Sequence, residues 1–389
     1  MRRHLGSSFR ALVLTGTAMI VALLPGTAFA ALPTDPTAAR PCGPSIERQL
    51  RALVGDTARD PIPGVILDVR GPGLRFADAA GKFAVGGRAL RVGDTFRTAS
   101  VTKTVTAATV LRLAEQRRLD LDASIGRYLD PALVERVHVL GGVDYGARIT
   151  VRQLLDHSAG LYDYATDPTW QDEVRADPGR TWTPAELVDH AITHGTPYFP
   201  PGTGSHYSDT GYVLAGFVIE RVTGKPLHRV YRDLVLDPLG MRDTYLEHWE
   251  HSRGGPLSHA YIGDVDTRDF NPTFDTFGGG GLVATSADLT RFVRGLFEGR
   301  LFRDPNTLAT MLTAGPDGQL ALGIYRFEVR GREVWLHQGF FGAFQAYLPD
   351  RRISVTGTIN QATADSLPLL VSAFDIALGT RTPPGHCGT

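Results

Sequence analysis

The chain has 389 residues, with 40 Lys and Arg against 41 Asp and Glu and a formal net charge of −1. That balance excludes a nucleic-acid binder, which needs a strongly basic face. Length and a near-average composition allow a large core, built as two subdomains of one functional unit.

From the N-terminus, Arg2, Arg3 and Arg10 accompany an apolar run from Ala11 to Leu24, followed by the small-residue stretch Pro25 to Ala30. This is the pattern of a signal peptide over 1–30, cleaved after Ala30, and it predicts a secreted protein. The apolar run is shorter than a bilayer needs, so no membrane anchor is expected after signal removal. Arg2-Arg3 also fits twin-arginine export. Cleavage would remove three arginines and no acid, moving the net charge from −1 to −4. Residues 31–44 form a Pro-containing linker. Cys42 and Cys387, the two cysteines, lie at opposite ends of the exported chain, and an oxidising compartment predicts a disulfide between them; two idle thiols are the alternative.

Ser45 can cap a helix carrying Ile46, Leu50, Leu53 and Val54 at helical spacing. Strand patterns follow at Val65 to Val69 and Leu74 to Ala80, with Gly71-Pro72-Gly73 between them. The segment after Ser100 (Val105, Ala108, Val110, Leu111, Leu113, Ala114) lacks Gly and Pro until past Arg118 and reads as a buried helix. Residues 119–277 are helix-and-loop in character. Thr285-Ser286-Ala287-Asp288 opens a helix over Leu289 to Phe297, strands are expected at Gln319 to Val329, Val334 to His337, Ala343 to Leu348 and Ile353 to Ile359, and a last helix covers Leu369 to Leu378. The predicted fold is α+β: residues 45–118 with 278–380 form a sheet domain drawn from both chain ends, and 119–277 form an all-helical insert.

Lys82, Lys103 and Lys225 are the only lysines in this arginine-rich chain. Lys103 stands three residues after Ser100, so amine and hydroxyl share a helix face. A serine needs an adjacent base to become a nucleophile. Arginine cannot serve, whereas a desolvated lysine amine can be neutral near pH 7. Two more segments join this pair: Tyr207-Ser208-Asp209, delivered by a Pro- and Gly-rich turn, and His337-Gln338-Gly339 at a strand end.

In this order and at these separations, the three segments resemble the motifs of the penicillin-recognising serine hydrolases: class C β-lactamases, D-alanyl-D-alanine carboxypeptidases and related esterases. Leu154 to Leu161, Asp237 to Met241 and Gly279 to Leu282 look like further recurring segments, extending the resemblance from about Pro61 to Leu378. It implies a β-lactamase-like fold, an antiparallel sheet flanked by helices plus a helical domain. Ser100 would be the acylated nucleophile and Lys103 its base, with Tyr207 relaying a proton as phenol or phenolate. The backbone N–H groups of Ser100 and Phe340 would form the oxyanion hole, and His337 would supply a positive or hydrogen-bonding group that depends on pH. Asp209, Gln338 and Gly339 would face substrate, and neither metal nor other cofactor is required.

Asp209 stands where the family usually has Asn; an ionised carboxylate only accepts hydrogen bonds, and it could pair with Lys103. Gln338 replaces the usual Thr or Ser, which favours acyl substrates more apolar than penicillins or peptides ending in D-alanine. Tyr162, Tyr164, Phe277, Phe340, Phe341 and Phe344 could line a pocket or belong to the core. His157 reads as structural. The expected function is secreted acyl-enzyme hydrolysis, carboxypeptidase-like on cell-wall peptides or on related small-molecule amides and esters. Esterase and class C β-lactamase activities are the alternatives within that class, and a slow penicillin-binding or cell-wall-binding module is the alternative outside it.

Overall fold

The computed structural model describes residues 45–379. The expected signal, the linker and the Cys42–Cys387 pair lie outside those residues. Ser45 Oγ accepts from the Arg48 N–H and opens α1 (Ile46–Thr57). β1 (Gly64–Gly71) and β2 (Leu74–Gly81) form a hairpin, after which β3 (Phe96–Arg97) leads into one 3-10 turn, Ala99–Val101, and α2 (Thr102–Glu115). A long excursion carries α3 (Asp209–Thr223) and β4 (Tyr245–Leu246). The chain returns through β5 (Leu282–Ala284), α4 (Ser286–Phe297), β6 (Tyr325–Val329), β7 (Arg332–Gln338), β8 (Ala343–Leu348), β9 (Ile353–Thr358) and α5 (Leu367–Ala377).

The main sheet is antiparallel with strand order β6-β7-β8-β9-β1-β2, so the two chain ends do meet in one sheet. Alternation along β1 explains its two covers. Val65, Leu67 and Val69 pack with Leu50, Val54, Leu370 and Phe374 of α1 and α5, while Ile66 packs on the other face with Leu289 of α4. Each such buried aliphatic side chain contributes about 1.5–3 kcal/mol. No helix among the described residues is long and apolar enough to cross a membrane.

Ser100 stands at the helix start as expected, with that start wound as the 3-10 turn that runs into α2. Several details differ from the sequence reading. The insert is not all helical: two-residue hairpins occur at 139–144 and 261–266, and β4 joins β3 and β5 in a second sheet of order β3-β5-β4. Of the strand expected over Gln319 to Val329, only Tyr325–Val329 forms. These short pieces carry too few residues for a period to register.

α2 is buried on nearly every side, 11 of its 14 residues being inaccessible, so it runs between the sheet and the helical insert. The end of β7 meets its approach. Gly339 sits so close that a Cβ there would lie 2.1 Å from the Thr98 carbonyl oxygen, and only glycine allows that contact.

Candidate active site

Ser100 and Lys103 are brought together as the spacing predicts. Lys103 Nζ lies 3.1 Å from Ser100 Oγ, and the lysine side chain is fully buried. Nζ also donates to the Gly279 carbonyl at 2.8 Å and to Asp209 Oδ1 in an ion pair. Three directions around Nζ are thus assigned: an ammonium would donate in all three, and a neutral amine would donate to Gly279 and Asp209 and accept the Ser100 proton along the third. A Cβ on Gly279 would lie 2.7 Å from Asp209 Oδ1 and 3.5 Å from Nζ, so the tetraglycine run is what lets a backbone carbonyl approach the amine.

Tyr207 completes the group. Its hydroxyl hydrogen-bonds with Ser100 and its ring centroid lies 4.8 Å from Lys103 Nζ. Burial pushes the phenol well above its ordinary value, the Asp209 charge adds to the rise, and the Ser100 hydrogen bond opposes it. Tyr207 is therefore a phenol at neutral pH, and the phenolate half of the expectation is dropped.

His337 sits at the end of β7, 2% exposed. Its Nδ1 lies 2.7 Å from the Gln338 carbonyl, which can only accept, so Nδ1 carries the proton and Nε2, buried with no hydrogen-bond partner among the described residues, presents a lone pair. Burial, followed by the Lys103 charge, pushes the ring down to about 3. This corrects the expected pH-dependent cation: the group is neutral across the physiological range. Gln338 turns away, as strand alternation requires, donating to Ser366 Oγ at 2.8 Å and Asp365 Oδ1 at 3.3 Å. Its amide is committed to the start of α5 instead of to substrate. Phe340 is 38% exposed on the turn after Gly339, and among the described residues no backbone carbonyl outside regular elements accepts from its N–H or from that of Ser100.

The aromatic candidates divide. Tyr164, Phe277 and Phe341 belong to the core around α2, and Phe344 packs beneath the far face of the sheet. Tyr162 is partly buried and donates to Asp167.

Three residues of this region escape sequence reasoning as site residues. His157, at φ +58°, accepts the Ser208 N–H on Nδ1 at 2.9 Å and stacks on the Tyr207 ring with centroids 4.3 Å apart, so it positions the phenol. Asp163 accepts the Asp209 N–H at 3.0 Å and so caps the start of α3. Burial, followed by the Asp209 charge, raises both Asp163 and Asp275 to about 7. An acid embedded in an aromatic run, as in Leu161-Tyr162-Asp163-Tyr164 or Phe274-Asp275-Thr276-Phe277, was the available signal.

Residues 46–372 match the family model described as Beta-lactamase. The chain belongs to that family. It is a serine hydrolase by that membership and by its relatives. A D-stereospecific amidohydrolase from Streptomyces sp. superposes with a TM-score of 0.74 at 30% identity, covering 84% of this chain and 98% of that one. D-amino acid amidase from Ochrobactrum anthropi SV3 shares the fold, with a TM-score of 0.73 at 24% identity over 87% of this chain and 99% of its own. Esterase EstB from Burkholderia gladioli is 34% identical over 200 residues, 50% of this chain, and the chain spans only 47% of that relative's length.

Proposed function

We propose that the protein is secreted and hydrolyses esters or amides that lack a carboxylate beside the scissile bond, through an acyl-Ser100 intermediate. The signal-like pattern over 1–30 supports secretion. As Ser100 Oγ bonds to the carbonyl carbon, its proton passes to Lys103 Nζ and the carbonyl π pair moves onto oxygen, facing the N–H groups of Ser100 and Phe340. When the intermediate collapses, the Tyr207 phenol protonates the departing oxygen or nitrogen and takes the proton now on Nζ in return. Water repeats the sequence in reverse to release the acid.

One observation carries the choice of substrate: the cations at the cleft floor are already engaged. Lys103 is paired with Asp209, and Arg97 with Glu247 at 2.8 Å. With His337 neutral and Gln338 tied to α5, a carboxylate of a penicillin or of a peptide ending in D-alanine lacks a charged holder. The carboxypeptidase and β-lactamase readings therefore rank behind the ester or amide reading.

Intact-protein mass spectrometry after mixing with p-nitrophenyl acetate or with a penicillin tests this. The expected result is an acetyl adduct mapping to Ser100, absent in Ser100→Ala, that turns over faster than any penicillin adduct forms. Faster acylation by the penicillin would overturn the substrate ranking, and an adduct elsewhere would overturn the mechanism.

A further inference from the structure

The face of the main sheet that looks toward α4 is not uniformly apolar. Ile66 and Ala343 pack there with Leu289 of α4 and with Val101, the residue after the nucleophile. Across the same face runs a polar row in register. His337 of β7 stands opposite Gln345 of β8, Gln345 opposite Thr356 of β9, and Thr356 opposite Asp68 of β1. All four are 2% exposed or less. Gln345 is two residues along β8 from Ala343, so its side chain shares the face on which the nucleophile turn rests.

The row is satisfied at one end and open at the other. Asp68 accepts from Arg70 at 2.7 and 2.8 Å, and Thr356 Oγ1 reaches Thr290 Oγ1 at 2.8 Å and the Ser286 carbonyl at 3.0 Å. At the inner end, His337 Nε2, both ends of the Gln345 amide and Ser286 Oγ are buried with no hydrogen-bond partner among the described residues. Gln345 is the extreme case, because an enclosed primary amide there holds two donor hydrogens and a carbonyl oxygen unmatched. Leaving such groups unmatched is costly, and protein interiors match nearly all of them, through ordered water where no side chain reaches. The needs are also complementary: the His337 Nε2 lone pair lacks a donor, and the residue opposite it in register has donors to spare. Opposite side chains on antiparallel strands start about 4.5–5.5 Å apart at Cβ, a separation that one water spans.

The geometry points to an internal water site between β7, β8 and the first turn of α4, where one water accepts from the Gln345 amide N–H and donates to His337 Nε2. The Ser286 hydroxyl gives that water a third partner, the usual number for a buried water. Gln345 is thereby a positioning residue. Through the water it fixes one nitrogen of the imidazole whose other nitrogen is held by the Gln338 carbonyl at 2.7 Å. The His337 lone pair is then occupied and does not compete with Lys103 for the Ser100 proton, whatever the acyl substrate. Only that last consequence rests on the hydrolytic reading; the water site does not.

A high-resolution crystal structure of the wild-type protein tests the site directly. One ordered water should lie about 2.7–3.2 Å from both His337 Nε2 and the Gln345 amide nitrogen. No water at that place, or a water that joins His337 to His157 Nε2 with Gln345 still unmatched, overturns the assignment. Nitrogen NMR of histidine-labelled protein supplies the second readout, with the His337 signals identified by their loss in His337→Gln. Gln345→Met should move the Nε2 resonance toward that of a free lone pair while Nδ1 stays protonated, and an unmoved resonance overturns the positioning role. The same variant should unfold at a lower guanidinium concentration, because it removes one partner of a matched network. A higher midpoint would show that the amide was dry and unmatched, which also overturns the site. The wild-type crystal decides even if the variant fails to fold, and no readout depends on turnover, so failure of the hydrolytic reading would leave this result intact.

Discussion

Replacing His337 by glutamine probes a buried, uncharged imidazole at the end of β7. The ring's ordinary value of 6.5 falls to about 3, through burial first and the Lys103 charge second, while the hydrogen bond to the Gln338 carbonyl opposes the drop. Lys103, His157, Tyr325 at 5.4 Å between ring centroids and the Gln338 carbonyl are polar groups that face it. Between those two values the unfolded chain holds a proton that the folded chain refuses. The contribution of His337 to stability is therefore complete above pH 6.5 and is lost as the pH falls toward 3. At about 1.36 kcal/mol per unit, going from pH 7 to pH 4 costs at most about 3 kcal/mol through this residue. Asp163 and Asp275 act in the opposite sense, since values raised to about 7 make the folded state the better proton binder between 3.8 and 7. The wild-type curve alone mixes these effects, so the readout is the difference in guanidinium unfolding free energy between wild type and His337→Gln at pH 4, 5, 6 and 7. That difference should move by about 2–3 kcal/mol in the variant's favour as the pH drops from 7 to 4. A constant difference refutes a desolvated ring. Disappearance in the variant of a kcat/KM transition between pH 5 and 8 refutes the neutral state.

Ser100→Ala should show no acyl adduct, and Lys103→Arg should lose nearly as much, because the charge is kept while the basicity is lost; most activity surviving in Lys103→Arg places the base elsewhere. Asp209→Asn gives the site an N–H donor beside Lys103, so kcat/KM for an N-acylated β-lactam should rise by about tenfold. A value that is unchanged or lower argues that Asp209 does not reach substrate. Gly339→Ala must separate β7 from Thr98, where a Cβ meets the carbonyl at 2.1 Å, so kcat should fall by tenfold or more, on the order of 1.4 kcal/mol, with the fold retained. An unchanged kcat would show that the spacing between Ser100 and the Phe340 N–H is not set by that contact.

The legible parts of this molecule are those written in local patterns. Val65, Leu67 and Val69 alternate against Ile66, and the structure puts the two sets on opposite sheet faces. Ser100 and Lys103 were readable because three residues of helical rise bring two side chains together with no help from the rest of the fold. The committed amide of Gln338 was also within reach, since its neighbour His337 must point to the other side of β7. Convergence over long sequence distances left no such trace. Asp163 meets Asp209 across 46 residues, His157 meets Ser208 across 51, and Lys103 meets Gly279 across 176. Periodicity reports which face a residue occupies, not which distant carboxylate shares that face. The depressed imidazole and the raised carboxyls are properties of enclosure, and they exist only once the insert closes over α2.

Asp209 ties these observations together. Its charge is the second largest influence raising Asp163, Asp275 and Tyr207, after burial in each case. One acid at the start of α3 thus adds to burial in raising two other carboxyls and the phenol. It also takes the ion pair that a substrate carboxylate would otherwise seek on Lys103. An asparagine in its place would remove the ion pair and the charge's share of each rise while burial keeps the rest, which is why a single substitution there is expected to change substrate choice while the nucleophile and its base stay where they are.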